Sequence, residues 1–432
     1  MLRYQPGRAA ICFTFGSPEA PDCLQERKPM FPVQCSAWHR GGWLMVGINH
    51  RCKVATRMVK NVHTAKAVPD LPVNGDAAIV RMPISFELQP LLDPRWDRFV
   101  KKHPYSSVFH TTAWLDAIYR TYGYRPVAYT DAPPGLELTV GVPFCLVDSW
   151  LTGCRLVSVP FSDHCEPLVY GDEDLAELCS RLIRIDGPKR AGYLEIRPVQ
   201  ALQNRGEQWE STSRYYLHTI DLTPDLPTLF RNCHKDSTQR KIRRAEREGL
   251  TYETGRTPAL LSTFYRLLIL TRRRHQIPPQ PLVWFRNLIA CFGDALTIRV
   301  ASKDGQPVAA ILTLRHKDTL VYKYGCSDER FNHLGGTHLL FWRTIEEAKA
   351  ENLLKFDLGR SDIDGEGLIT FKNRWGAVAQ PLVYARMSRT PISATASLGM
   401  GTMVKACGKR FLPHLPDSIF TAIGRVLYRH VG

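Results

Sequence analysis

The chain has 432 residues, with 57 Lys or Arg against 41 Asp or Glu and a formal net charge of +16. That length exceeds one ordinary core, and 44% hydrophobic residues exclude wholesale disorder, so two or three packed domains are expected. No run supplies the roughly eighteen uninterrupted apolar residues of a membrane span, the N-terminus lacks the order of a secretory signal, and the twelve cysteines include no C-x-x-C pair.

These features lead to the expectation of a cytoplasmic protein with reduced thiols and neither a zinc knuckle nor a redox pair. The basic excess favours an anionic partner: nucleic acid, a nucleotide-linked substrate, coenzyme phosphates or a membrane surface. It does not choose among them, and a solvated basic face remains open.

Residues 1–80 are rich in Pro, Gly, Arg and Cys and hold no period for long, which predicts a poorly ordered extension over 1–81. Regular patterning begins near Met82, the expected functional start. Trp96, Phe99 and Val100 share one helical face, and Thr111 caps a second helix carrying Trp114, Leu115 and Ile118. Strands are expected over 125–129, 138–147, 156–160, 193–197 and 216–222, with a helix over 173–185. The second half predicts helices over 225–248, 258–275 and 281–292, then strands over 295–301, 307–315 and 319–326. A helix over 337–351 and strands over 354–359 and 380–387 complete it.

This alternation indicates an α/β fold, and its doubling suggests related domains over 82–215 and 216–388. The helices over 225–275 are expected to pair as a projection from the second domain. The tail, 389–432, opens with a Ser-, Thr-, Gly- and Met-rich loop. It ends in a helix whose stripe of Ile419, Phe420, Ile423, Val426 and Leu427 docks on the protein body or on a membrane surface.

The segment from Tyr322 to Gly376 carries the most chemistry. A strand ends near Gly325, a polar loop closes on Leu334, Gly335, Gly336 and Thr337, and a helix and second strand follow. Free N–H groups at such a helix start face an anion, and glycine lets it approach, so these four residues are the expected cofactor-binding set. A Gly-Gly pair before a helix is also an ordinary turn.

More specific are Tyr324-Gly325-Cys326-Ser327, Trp342 with Ile345 and Ala348, Phe356-Asp357 with Gly359, and Phe371-Lys372 with Trp375-Gly376. Together they resemble the Fem-type (FemAB-like) branch of the GNAT acyltransferase superfamily, in wording nearest its exopolysaccharide- and exosortase-associated group. The resemblance covers roughly 84–388. It extends to His110-Thr111, Trp114-Leu115, Pro160 through Leu168, Leu194 through Arg197 and the basic helix from Arg240 to Gly249.

The resemblance implies two tandem GNAT-like domains, with mixed sheets flanked by helices, and a cleft where an activated acyl donor meets an amine. Lys372 matches the cleft-lining lysine of the family's Phe-Lys motif and would stabilise charge on the acyl carbonyl or a phosphate; otherwise it is a surface lysine on a strand end. Arg360 would bind a phosphate or carboxylate, or pair with Asp357 or Asp362. Asp357 would take a proton from the amine, or pin a loop. Tyr324 would hydrogen-bond the acyl carbonyl, or satisfy its hydroxyl in the core. Asp163, His164 and Glu166, clustered on one loop, would face the acceptor, and Trp375 is counted with them as substrate-binding; His164 can also be a satisfied loop histidine.

Two rival motifs are weighed. Asp362 through Asn373 partly matches a calcium loop, but its fifth position is Glu366 and its last is Asn373 rather than a bidentate Glu, so no metal is expected. Lys235, Arg240, Lys241, Arg243, Arg244 and Arg247, with Arg272 through His275, form either a tRNA-binding surface or a solvated face. The expected activity is amide-forming transfer from acyl-CoA or aminoacyl-tRNA to an amine on a sugar or lipid-linked precursor of the cell envelope or exopolysaccharide. The alternative is a catalytically inactive GNAT-like binding module of membrane-associated polysaccharide machinery, peripheral to the inner membrane through its C-terminal helix.

Overall fold

Apolar and polar residues alternate or recur at helical spacing from Phe86 onward, and the computed structural model follows that pattern over residues 83–186, 192–202, 209–388 and 414–432. The first half comprises β1 (Phe86–Leu88), α1 (Pro94–Lys102), α2 (Thr112–Tyr122), β2 (Arg125–Thr130), β3 (Val142–Ser149), β4 (Gly153–Val157), α3 (Asp172–Asp186) and β5 (Tyr193–Ile196). Next come β6 (Trp209–Asp221), α4 (Leu226–Asn232), α5 (Arg240–Arg247), β7 (Thr251–Gly255), α6 (Pro258–Arg274) and α7 (Leu282–Phe292). The chain continues through β8 (Leu296–Lys303), β9 (Gln306–His316), β10 (Thr319–Ser327), α8 (Gly336–Ala350), β11 (Lys355–Asp362), α9 (Glu366–Asn373), β12 (Val378–Ser388) and α10 (Asp417–Leu427). The extension expected over 1–81, the start expected at Met82 and the loop after Ser388 lie outside the described residues.

Local chemistry sets the helix limits. Thr111 Oγ1 accepts from Trp114 N at 3.2 Å to start α2, and Gly123 at φ 77° ends it. Thr257 caps α6 in the same way, with Pro258 at its first position.

The twelve strands form one sheet in the order β1-β2-β3-β4-β5-β12-β6-β11-β10-β9-β8-β7. Its two wings repeat one plan. Sequential antiparallel strands end in a parallel pair, β4 with β5 and β10 with β11, whose crossovers are α3 and α8. β12 and β6 run antiparallel between the wings from Val378 opposite Thr219 to Met387 opposite Trp209. The boundary expected between residues 215 and 216 falls within β6. On one side of the sheet a shared core unites the wings: Trp114 of α2 meets Trp284 of α7 edge-on, with ring centroids 5.3 Å apart.

Four sequence expectations change. The helix over 225–248 is broken into α4, a π-helical turn over Lys235–Gln239, and α5. The break is tertiary in origin: His234 N and Thr238 Oγ1 both donate to Arg374 O, at 2.8 and 3.1 Å, pulling the chain out of register. β7 then separates α5 from α6, so no helix pair projects. Strand β4 stops at Val157 because Val159 adopts φ 56°, which an extended run excludes. Residues 366–373, expected as loop and strand end, form α9.

The C-terminal helix does dock on the protein body. Phe420 is fully buried, Arg273 lies over its ring and pairs with Asp417, and Gly424 lies against Pro279 O.

The glycines at the start of α8 have packing roles. Gly335 sits at φ 83° with its Cα against Lys241 O of α5, and a Cβ on Gly336 would stand 2.8 Å from Val308 Cγ2. Gly335→Ala combines a disfavoured φ with a backbone collision and is expected to cost about 1–3 kcal/mol. A urea-denaturation midpoint equal to wild type would contradict this packing account.

Candidate active site

β10 and β11 pair in parallel only from Thr319 to Val321 against Lys355 to Asp357. Beyond that each strand carries an irregularity. In β10, Tyr322 and Tyr324 face successive β9 residues, leaving Lys323 as an inserted residue. In β11, the register against β6 shifts between Asp357 and Arg360. Gly359, at φ 70°, makes the second kink possible, and a Cβ there would lie 3.2 Å from Asp163 Oδ2.

The loop after β4 enters this opening from the other wing. Val159 and Phe161 hold positive φ, of 56° and 62°, a conformation costing on the order of 1–3 kcal/mol each. The surrounding bonds impose it. Ser158 N donates to Glu195 O at 2.7 Å, Cys165 N to Arg197 O at 2.7 Å, and Arg197 Nη1 to the Val159 and Ser162 carbonyls at 3.2 and 3.1 Å.

That loop delivers Asp163 and His164 to the two kinked strands. Lys323 Nζ donates to Asp163 Oδ2 at 2.7 Å and to Phe161 O at 2.9 Å. His164 Nε2 lies 2.8 Å from Asp357 Oδ2, and Asp357 Oδ1 accepts from Gly359 N at 2.7 Å. From β12, the Tyr384 hydroxyl donates to Asp163 O at 2.7 Å and accepts from Arg360. The Arg360 guanidinium stacks 4.3 Å from the Tyr215 ring centroid. Among the described residues it makes no ion pair with Asp357 or Asp362. Lys372, 2% exposed, reaches from α9 to donate to Gly359 O and Arg360 O at 2.9 and 2.8 Å.

Burial sets the electrostatics. It pushes Lys372 down to about 8, against the pull of Asp163 and Asp357. Burial lowers Lys323 as well, opposed by Asp163. It would raise Asp163, but Lys323 and Arg360 hold that carboxyl below its ordinary value. The Tyr384 phenol is pushed up to about 12 by burial.

A second locus adjoins. A cavity of about 210 Å³ opens at the start of α8, lined by Gly335, Gly336, Thr337, Lys241, His338 and Phe371, among others. The first intrahelical bond is Leu339 N to Gly335 O at 3.0 Å, so the N–H groups of Gly336, Thr337 and His338 precede it. Burial pushes His338 down to about 3, with Lys241 and Arg374 adding to it. Helix α9 joins the two loci, with Phe371 at the cavity and Lys372 in the opening.

The structure therefore brings together Asp163, His164, Asp357, Arg360 and Lys372. It separates four others from their expected roles. Glu166 uses its carboxylate to hold Val199 N and Gln200 N. Trp375 is a core residue, 1% exposed and stacked 5.2 Å from Phe341. Tyr324 accepts from Gln280 Nε2 and Trp284 Nε1 at 3.0 and 2.9 Å, which occupies its hydroxyl in the core. Leu334 is buried beneath the loop, while Gly335, Gly336 and Thr337 line the cavity. Lys372 is on a helix, not a strand end. Lys323, Tyr384 and Tyr215 were missed; a lysine between two tyrosines inside an otherwise apolar strand was the available signal for the first. Among the described residues no group of three or more His, Cys, Asp or Glu is placed to hold a metal ion.

Residues 233–372 match the acetyltransferase (GNAT) domain family. The crystal structure of FemX superposes with a TM-score of 0.55 at 14% identity, covering 69% of this chain and 97% of FemX. The chain is thus an α/β protein of GNAT fold. A UDP-N-acetylmuramoylpentapeptide-lysine N(6)-alanyltransferase from Weissella viridescens is 26% identical over 159 residues, 36% of this chain. The match spans 47% of that relative, about half its length. Within that fold, the matched domain, the FemX likeness and the alanyltransferase relative make this chain similar to the Fem-type branch.

The buried Lys372 ammonium makes a pH prediction. Its folded value is lowered, so between about 8 and the ordinary 10.5 the unfolded chain holds more protons and stability rises with pH. Comparison with Lys372→Met cancels the other titrating groups. The stability difference between wild type and variant should shift in favour of wild type across that window, measured by urea denaturation at each pH; a flat difference would refute the lowered value.

Proposed function

We propose that this protein is an N-acyltransferase of cell-envelope or exopolysaccharide synthesis. It moves an acyl or aminoacyl group from acyl-CoA or aminoacyl-tRNA to a primary amine on a sugar- or lipid-linked precursor. The observation that carries this reading is the convergence of Lys372, Arg360, Asp357, Asp163 and His164 where β10 and β11 part. Lys372 supplies positive charge to the developing oxyanion, and Arg360, stacked and without a carboxylate partner among the described residues, receives an anionic group of the substrate. The cavity at the α8 N-terminus, with Lys241 beside it, takes a donor phosphate. The repeated wing plan supports two GNAT-like halves over 82–215 and 216–388. The relative's alanyl transfer to a lysine amine supports an aminoacyl group and an envelope acceptor.

Transfer from radiolabelled acetyl-CoA and alanyl-tRNA to envelope precursors tests the reading. Lys372→Ala and Arg360→Ala should each lower turnover on the order of a hundredfold. Reversing charge at Arg243 and Arg244 should weaken a tRNA donor and flatten its salt dependence while sparing coenzyme A. No turnover and no donor binding with either donor would leave the inactive binding module as the reading.

Peripheral membrane contact is the second part of the proposal. The outer face of α10 exposes Ile419 and Val426 beside Arg425 and Arg429, and Trp150 at the β3–β4 turn, 84% exposed, packs against His430 just beyond it. An interfacial tryptophan with basic neighbours suits an anionic bilayer. Among the described residues no helix is long and apolar enough to cross one. Sedimentation with phosphatidylglycerol-containing vesicles should fall with added salt and with Trp150→Ala; equal sedimentation with neutral vesicles would refute the contact.

A further inference from the structure

The chemistry of the His164–Asp357 pair goes further than a structural link. With Asp357 as a carboxylate, Gly359 N–H bonds one oxygen and the 2.8 Å contact at the other takes its proton from His164 Nε2. In the neutral ring Nδ1 is then a bare acceptor. Nδ1 is buried and has no hydrogen-bond partner. Leaving a buried acceptor unpaired costs about 1–3 kcal/mol, and the loop bearing this ring is already strained at Val159 and Phe161. The ring cannot relax by turning, since Phe109 packs edge-on against it at 5.2 Å and Asp357 holds the opposite nitrogen. Both oxygens of Asp357 are engaged within the chain, which removes that carboxylate as a direct proton acceptor for substrate.

We infer that His164 Nδ1 is the base that takes the proton from the attacking amine, and that Asp357 is its positioning residue. The inference rests on the acyl-transfer reading above. The amine nitrogen forms a bond to the donor carbonyl carbon, and its surplus proton passes to Nδ1. The C–O bond of an ester donor or the C–S bond of a thioester donor then breaks, and the imidazolium returns the proton to the leaving oxygen or sulfur. The ring ends neutral, with Nε2–H still on Asp357. Loop and strand come from opposite wings, so the base is assembled only when the loop after β4 is seated in the opening.

The test uses the full-length chain, acetyl-CoA and alanyl-tRNA as donors, and hydroxylamine and lysine as amine acceptors. His164→Gln should lower turnover about a hundredfold or more with the donor KM unchanged. His164→Gly should recover part of its activity with added imidazole, which a purely structural defect would not. Nitrogen-15 histidine spectra should show His164 with Nδ1 unprotonated, and Asp357→Asn should shift that tautomer. A proton on Nδ1 in the wild-type protein, or full turnover by His164→Gln, would overturn the assignment alone. If the wild-type protein transfers from neither donor, the acyl-transfer reading falls and the base with it.

Discussion

Three residue pairs of parallel ladder, then none, is the constraint on which the site depends. Once β10 and β11 part beyond Val321 and Asp357, their inner edges lose each other's hydrogen bonds and must be satisfied from elsewhere. The inserted Lys323 shows how completely the alternation is reset. Tyr322 packs on Phe341 beneath α8, whereas Tyr324, two residues on, packs on Phe285 of α7. In a regular strand those rings would share a face. The bulge turns them to opposite sides and leaves the lysine between them free to reach Asp163 of the other wing. Removing either partner of such a buried pair would strand a charge, at about 3–5 kcal/mol.

The same opening explains why three cations are tolerated in one buried place. Lys323 lies within 5.1–5.9 Å of the Phe109, Trp114 and Tyr324 ring centroids, Arg360 is stacked on Tyr215, and Lys372 has two strand carbonyls. Each cation is stabilised by aromatic faces or carbonyl dipoles, and Lys323 also by the Asp163 carboxylate. Positive φ at Val159 and Phe161, the kink at Gly359 and the lowered Lys372 all work against stability. Fixed dipoles and charges held at such a cost are what stabilisation of a developing charge requires.

Where a local period decides structure, the sequence was readable. α3, α6, α7 and α8 fall within a residue or two of their expected bounds, since each has an apolar stripe. Where long-range contacts decide, it was not. The break in the helix over 225–248 depends on Arg374 O, more than a hundred residues away, and no local pattern encodes it. His164 and Asp357 were each legible as candidates, yet their pairing spans 193 residues of sequence. Trp375 and Glu166 were over-read for the converse reason: a motif marks a position as special without saying whether the core or the substrate needs it. Lys323 was hidden because a one-residue bulge changes which way a side chain points while leaving the strand pattern intact.

The two wings also show how one repeated unit divides its work. In each, a strand, a loop and a crossover helix lead to a parallel partner. Helix α3 begins with Asp172, Glu173 and Asp174, so its own carboxylates occupy the positive end of its dipole and repel an incoming anion. Helix α8 begins Gly336-Thr337-His338, with no acid in its first turn, and opens on a cavity beside Lys241. The first wing, with that route to an anion closed, sends its loop across the sheet instead. Asp163 and His164 close the opening that the second wing leaves between its strands, so the charged cluster needs both wings although the anion-accepting helix start belongs to one.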